Sequence, residues 1–130
     1  MQTNTTSRCT FAELLQSVDP KLHLICETLR SSITSLHRNV VEVAWRRQLV
    51  ASYGIGPKKS SEHYAFIAPQ SSHVRIGFYR GVFLNDPGGL LEGKGAMSRY
   101  VKVHDSALAT SPQLKHLIRQ AISERLASRE

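Results

Sequence analysis

At 130 residues the chain has the length of one ordinary domain and can bury a single core, while 41% hydrophobic content with five prolines argues against disorder. No apolar run approaches the length that crosses a bilayer, and the polar opening MQTNTTSRC is not a charged start feeding an apolar stretch. Seventeen Lys and Arg against ten Asp and Glu leave a formal charge of +7, a field that attracts phosphates, acidic proteins or anionic surfaces without choosing among them and that equally serves plain solubility.

These features set the expectation of one domain over 1–130 with residues 1–9 as a flexible tail, a cytoplasmic location and no membrane partner. From the tail onward, Thr10 and Glu13 make a capping box ahead of Phe11, Leu14, Leu15 and Val18, the spacing of a short helix. Asp19-Pro20 opens a second helix. Leu22, Ile25, Cys26, Leu29, Ile33 and Leu36 recur three and four apart to about His37, one apolar stripe fit to cover a sheet. The two cysteines give no disulfide framework: Cys9 falls in the tail and Cys26 reads as a buried thiol.

From Val40 the period becomes two. Val41, Val43 and Trp45 alternate with Glu42, Ala44 and Arg46, which predicts a strand with the first set facing the helices. A looser strand follows through Leu49, Ala51 and Tyr53, then a glycine-bearing basic loop from Gly54 to Ser61 that carries Lys58 and Lys59. His63–Ala68 and Val74–Tyr79 read as a hairpin, with the face taken by His63 left open. A crossing rich in glycine runs from Asp86 to Arg99 and feeds a last strand to Val103. Ser111 and Pro112 start the final helix, whose Leu114, Leu117, Ile118, Ala121, Ile122 and Leu126 form a continuous stripe. The fold class is therefore α+β: an antiparallel sheet of about five strands with N- and C-terminal helices on one face, and Trp45, Phe78, Val101, Leu117 and Ile118 buried together.

Catalytic and metal patterns are weak. Gly88–Gly95 spells G-x-x-x-x-G-K-G, but Gly95 stands where a phosphate-binding loop needs Ser or Thr, so its glycines read as turn geometry. The six histidines lack ligand spacing, no nucleophile motif is present, and no cofactor or metal site follows. The reading is a noncatalytic binding protein. Two surfaces stand out. Strand parity gathers Arg46, Arg75, Tyr79, Tyr100 and Lys102 on the sheet face away from the helices, which suits either nucleic-acid stacking and phosphate contact or plain cross-strand cation–π packing. The loops Gly54–Ser61 and Asp86–Arg99 would bring Lys58, Lys59, Lys94 and Arg99 into one anion-receptive site if they meet, the alternative being that Arg99 pairs with Glu92 or Asp86 to hold the crossing. Expected partners are an anionic ligand or acidic protein segment, with nucleic acid as the alternative.

The run Gly77-Phe78-Tyr79, Gly81, Leu84, Asp86-Pro87, Gly89-Leu90-Leu91-Glu92-Gly93, Gly95 and Arg99 resembles the signature of the YdhG-like family of small bacterial proteins, a domain of unknown function. Trp45 to Ala68 looks like one branch of it. The resemblance implies a frataxin-like fold, with helices over one face of an antiparallel sheet, and through one branch an intracellular iron chaperone. Iron binding in frataxins uses an acidic ridge, whereas the first helices here hold only Glu13, Asp19 and Glu27. Iron enters as a partner by family alone.

Overall fold

In the computed structural model, which describes residues 7–128, the local signals act where they stand in the chain. The elements are β1 (Arg8–Cys9), α1 (Phe11–Leu15), a 3-10 turn (Pro20–Leu22), α2 (His23–Leu36), β2 (Val41–Trp45), β3 (Val50–Gly54), α3 (Lys59–Glu62), β4 (His63–Pro69), β5 (Val74–Phe78), a second 3-10 turn (Gly81–Phe83), β6 (Arg99–Val103), α4 (Ser106–Ala109) and α5 (Pro112–Ser128). The capping box closes: Thr10 Oγ1 accepts from the Glu13 amide at 3.1 Å, and Glu13 Oε1 accepts from the Thr10 amide at 2.8 Å. Asp105, which caps α4, was not read from the sequence; its carboxylate accepts from the Leu108 amide at 2.9 Å.

The strands form one antiparallel sheet in chain order, β1-β2-β3-β4-β5-β6, so each pairs with its sequence neighbour. Six strands replace the expected five or so because Arg8 and Cys9 pair with Trp45 and Ala44. The expected flexible tail is thus corrected for Ser7, which is buried, and for Arg8 and Cys9, which sit at the sheet edge; Met1–Thr6 lie outside the described residues.

The register decides the faces. One row runs Ala44, Ala51, Ile67, Ile76, Val101 across β2 to β6, and the next runs Glu42, Tyr53, Ala65, Phe78, Arg99. Helices α2 and α5 cover this side, where Leu29, Ile33, Leu114, Leu117 and Ile118 join Ile67, Ile76, Phe78 and Val101 in the core. Each such aliphatic or aromatic side chain, removed from water, contributes about 1.5–3 kcal/mol before conformational entropy opposes it. Ser32 Oγ donates to the Ala109 carbonyl at 2.8 Å and ties α2 to α4.

The parity assigned to β2 is corrected by the same register. Glu42 and Ala44 face the helices, and Val43 and Trp45 face away; Trp45 does not join the core cluster. The cause is chemical. Glu42 accepts from the buried Tyr53 phenol and from Arg30 on α2, so the polar position of VEVAW is the one that turns inward.

The segment after Gly88–Gly95 is strand β6, not a helix, and its glycines shape a turn: Gly89 and Gly93 have φ of +66° and +121°, values open to glycine.

Candidate binding face

The side of the sheet opposite α2 and α5 carries two further rows. Val43, Ser52, Phe66, Gly77 and Tyr100 stand in register, and beside them Ala68, Arg75 and Lys102, with Trp45 opposite Val50. Gly77 leaves room there for the Phe66 ring, which an added Cβ would displace. Tyr79 extends the surface, its ring 5.1 Å from Phe66. Cations sit on the aromatics: the Arg75 guanidinium is 4.3 Å above the Tyr100 ring, and the Lys59 ammonium reaches back over the sheet to lie 5.2 Å from the Trp45 ring.

Of the five residues expected on this face, Arg75, Tyr79, Tyr100 and Lys102 share it. Arg46 does not: its guanidinium lies 3.7 Å from Glu13 of α1, on the helix side. Trp45, Phe66, Ser52 and His63 belong to the face and were missed. Phe66 was detectable, since it pairs with Gly77, but only once the hairpin register is known. Lys102 is 3.7 Å from Glu92, an exposed contact worth little in water.

His63 is placed by a β-bulge. Tyr53 pairs with Ala65 and Gly54 with His63, so Tyr64 has no partner on β3, and the alternation breaks between them. Tyr64 turns toward the helices, where its hydroxyl lies 2.8 Å from His37 Nδ1. His63 goes to the other side and, fully buried, bonds through Nδ1 to Ser52 Oγ; Ser52 Oγ lies 2.8 Å from the Tyr79 hydroxyl. Burial holds the His63 imidazole below the usual histidine range and raises the Tyr79 phenol above its own.

The basic loop is ordered rather than open. Ser60 and Ser61 belong to the single turn of α3, the Glu62 carboxylate accepts from the Lys58 amide at 2.8 Å, and the buried Arg125 of α5 donates to the Ser61 carbonyl at 2.9 Å. Lys58, Lys59 and Ser60 with Tyr79 line a cavity of about 570 Å³.

The crossing goes elsewhere. Asp86, Pro87 and Gly88 face Pro112, Gln113, His116 and Leu117 around a cavity of about 290 Å³, so this loop packs on the helix layer. Lys94 is exposed, and the cavities at the two loops are separate, one lined from the Asp86 side and the other from the Lys58 side. Arg99 pairs with neither Glu92 nor Asp86. It donates to the carbonyls of Gly95 at 2.6 Å and Ser98 at 2.7 Å, which folds the crossing on itself, while Asp86 accepts from the Leu90 and Leu91 amides at 2.9 and 2.8 Å. The four loop residues therefore divide: Lys58 and Lys59 border the open face, Lys94 and Arg99 belong to the crossing.

The chain matches no known family model, no curated protein and no solved structure.

A larger cleft, about 670 Å³, lies on the helix side between α1, α2 and β2 and is lined by Phe11, Arg30, Glu42 and Thr34 among others. Arg30 donates twice to Glu42 and lies 5.0 Å over the Phe11 ring, so these two charges already pair with each other. Among the described residues no three His, Cys, Asp or Glu side chains come together in a way that could hold an ion, and no helix is long and apolar enough to cross a membrane.

Proposed function

We propose that the protein is a noncatalytic binding module that holds a single-stranded nucleic acid on the helix-free face of its sheet. The observation that carries this reading is the register that sets Trp45, Phe66, Tyr79 and Tyr100 beside Lys59, Arg75 and Lys102 on one surface. Unpaired bases stack on aromatic rings and on guanidinium planes, each stack worth about 1–3 kcal/mol, and interleaved cations meet the phosphates between them. Arg75, half-buried and stacked 4.3 Å over Tyr100, is one such guanidinium. The net charge of +7 draws a polyanion to the molecule before these contacts form. The frataxin-like assignment and the iron-carrier role that comes with it rest on the YdhG-like resemblance and on the matching order of helices, antiparallel sheet and helix.

The test is titration with short mixed-sequence DNA and RNA strands, followed through fluorescence of the single tryptophan, Trp45, which stacking would quench. Three cations on the face predict a slope of about −2 in log affinity against log salt. Arg75→Ala and Tyr100→Ala should each weaken binding about tenfold. No binding at low salt, or full affinity in both variants, would overturn the reading.

A further inference from the structure

Tyr79 stands where three features meet: the exposed Lys58 and Lys59, with which it lines a cavity, the edge of the aromatic face, and a hydrogen-bonded line running from its hydroxyl inward through Ser52 to His63. Neither Ser52 nor His63 exposes any surface. We propose that the cavity lined by Lys58, Lys59, Ser60 and Tyr79 takes the terminal phosphate of the bound strand, and that taking it up draws a proton onto His63 through the Ser52–Tyr79 line. The ligand follows from the sheet-face reading; the site itself stands on its own geometry.

Charge favours an end over an internal phosphate. A terminal phosphomonoester carries nearly two negative charges near neutral pH and an internal diester one, and two lysines, Lys58 and Lys59, line the cavity. Its volume of about 570 Å³ exceeds what a phosphate alone needs, leaving room for the terminal nucleotide against Tyr79.

The line of hydroxyls has a direction set by His63. When the neutral imidazole carries its proton on Nε2 and accepts at Nδ1, the Ser52 hydroxyl spends its proton on the ring and the Tyr79 hydroxyl spends its own on Ser52, so the phenol offers only lone pairs to the cavity and repels an anion. When the imidazole is charged, Nδ1–H donates to Ser52, Ser52 donates to Tyr79, and the Tyr79 O–H is released to donate to a phosphate oxygen. No covalent bond changes; one proton is taken from solvent and held at His63.

The groups facing His63 are known. Desolvation opposes a charged ring most, the backbone of Gly56 and Glu62 favour one, and Lys59 and Arg125 oppose it, so the free protein holds His63 toward its neutral form. A phosphate in the cavity offsets Lys59 and rewards the reversed line. By linkage, affinity for the phosphorylated end then rises as pH falls. The sign is diagnostic, because the phosphate's own second ionisation near pH 6 acts the other way, removing charge and weakening contact with the lysines.

The experiment compares one oligonucleotide sequence bearing a 5′ phosphate, a 3′ phosphate or neither, at pH 8 and pH 6.5, with wild type, Lys58→Ala/Lys59→Ala and Tyr79→Phe. One phosphorylated end should bind about tenfold tighter than the unphosphorylated strand, and tighter again at the lower pH by about threefold. The lysine pair variant should lose the preference. Tyr79→Phe, which keeps the ring and its packing, should keep part of the preference and lose the pH response. Equal affinity for all three strands overturns the pocket while leaving the sheet-face reading intact; a preference that weakens as pH falls overturns the proton link. If no strand binds, the sheet-face reading fails, and calorimetry with a nucleoside monophosphate decides the pocket alone, absence of binding overturning it.

Discussion

Tyr53, without exposed surface, donates its phenolic proton to Glu42 Oε2 at 2.6 Å, and this pair orients strand β2. Arg30 Nε and Nη2 hold the two carboxylate oxygens at 2.6 and 3.0 Å. Tyr53→Phe removes one hydrogen bond and keeps the ring, and it should cost about 1 kcal/mol in denaturant unfolding. Glu42→Ala strands the buried hydroxyl and should cost about 2–3 kcal/mol. Because the phenol has nothing left to lose, the double variant should be less destabilised than the sum; an additive pair would show that the two side chains do not interact.

Trp45 stands on the open face, and Phe78 is in the core with no exposed surface. Phe78→Ala should therefore cost about 3–5 kcal/mol and Trp45→Ala about 1–2, despite the larger side chain of tryptophan. An emission spectrum of Trp45 quenched by acrylamide in the folded protein supports the same placement. A shielded tryptophan, or equal costs for the two substitutions, would restore the inward parity.

Two glycines of the sheet are constrained by different neighbours. At Gly77 an added Cβ meets the Phe66 ring, a side chain at the surface that can swing aside, so Gly77→Ala should cost about 1 kcal/mol while disordering the Phe66–Tyr79 stack and weakening strand binding. At Gly54 the Cβ meets the Glu62 carbonyl and His63 Cα as well, backbone that cannot yield without undoing the bulge. Gly54→Ala should cost about 3 kcal/mol. Thermal or denaturant unfolding ranks them, and the reverse order would sink the account of the bulge.

Stability should hold a plateau between about pH 6.5 and 9 and fall on both sides. His63 and His37 are held below the usual 6.5 by burial, so as pH drops past that value the unfolded chain takes protons first, and stability present above it is lost through the depressed folded values. On the alkaline side burial raises the Cys26 thiol from 9.0 to about 11 and pushes Tyr53, Tyr64 and Tyr79 above 10. The unfolded chain ionises first there, and stability disappears as pH climbs from 9 toward these raised values, at most about 1.4 kcal/mol per pH unit for each group. Denaturant midpoints across pH 5 to 11 check both limbs. Cys26→Ala should remove the earliest part of the alkaline loss.

The helices α1, α2 and α5 were legible because their signals are local, whereas the single turns α3 and α4 were not read. Thr10 with Glu13, Asp19-Pro20 and Ser111-Pro112 act within one turn, and three-and-four spacing marks the buried face of α2 and of α5 as far as Ile122, beyond which Arg125 turns inward to the Ser61 carbonyl and Leu126, read as part of the stripe, is exposed. The strand segments were legible for the same reason, since alternation is written within each run, as was the buried thiol of Cys26. What alternation leaves free is sign: a two-residue period has two faces, and only a neighbour says which is inward. In β2 that neighbour is Tyr53 with Arg30, 11 and 12 residues from Glu42, and in β4 the bulge at Tyr64 breaks the count that would have placed His63. Arg8 and Cys9 are too few to show a period and become a strand only by pairing with Trp45 and Ala44. The sequence by itself thus determined the longer elements and the basic, aromatic character of the sheet, and the tertiary structure alone decided which residues share the open face, because cross-strand register and the burial of one carboxylate are set by contacts between segments.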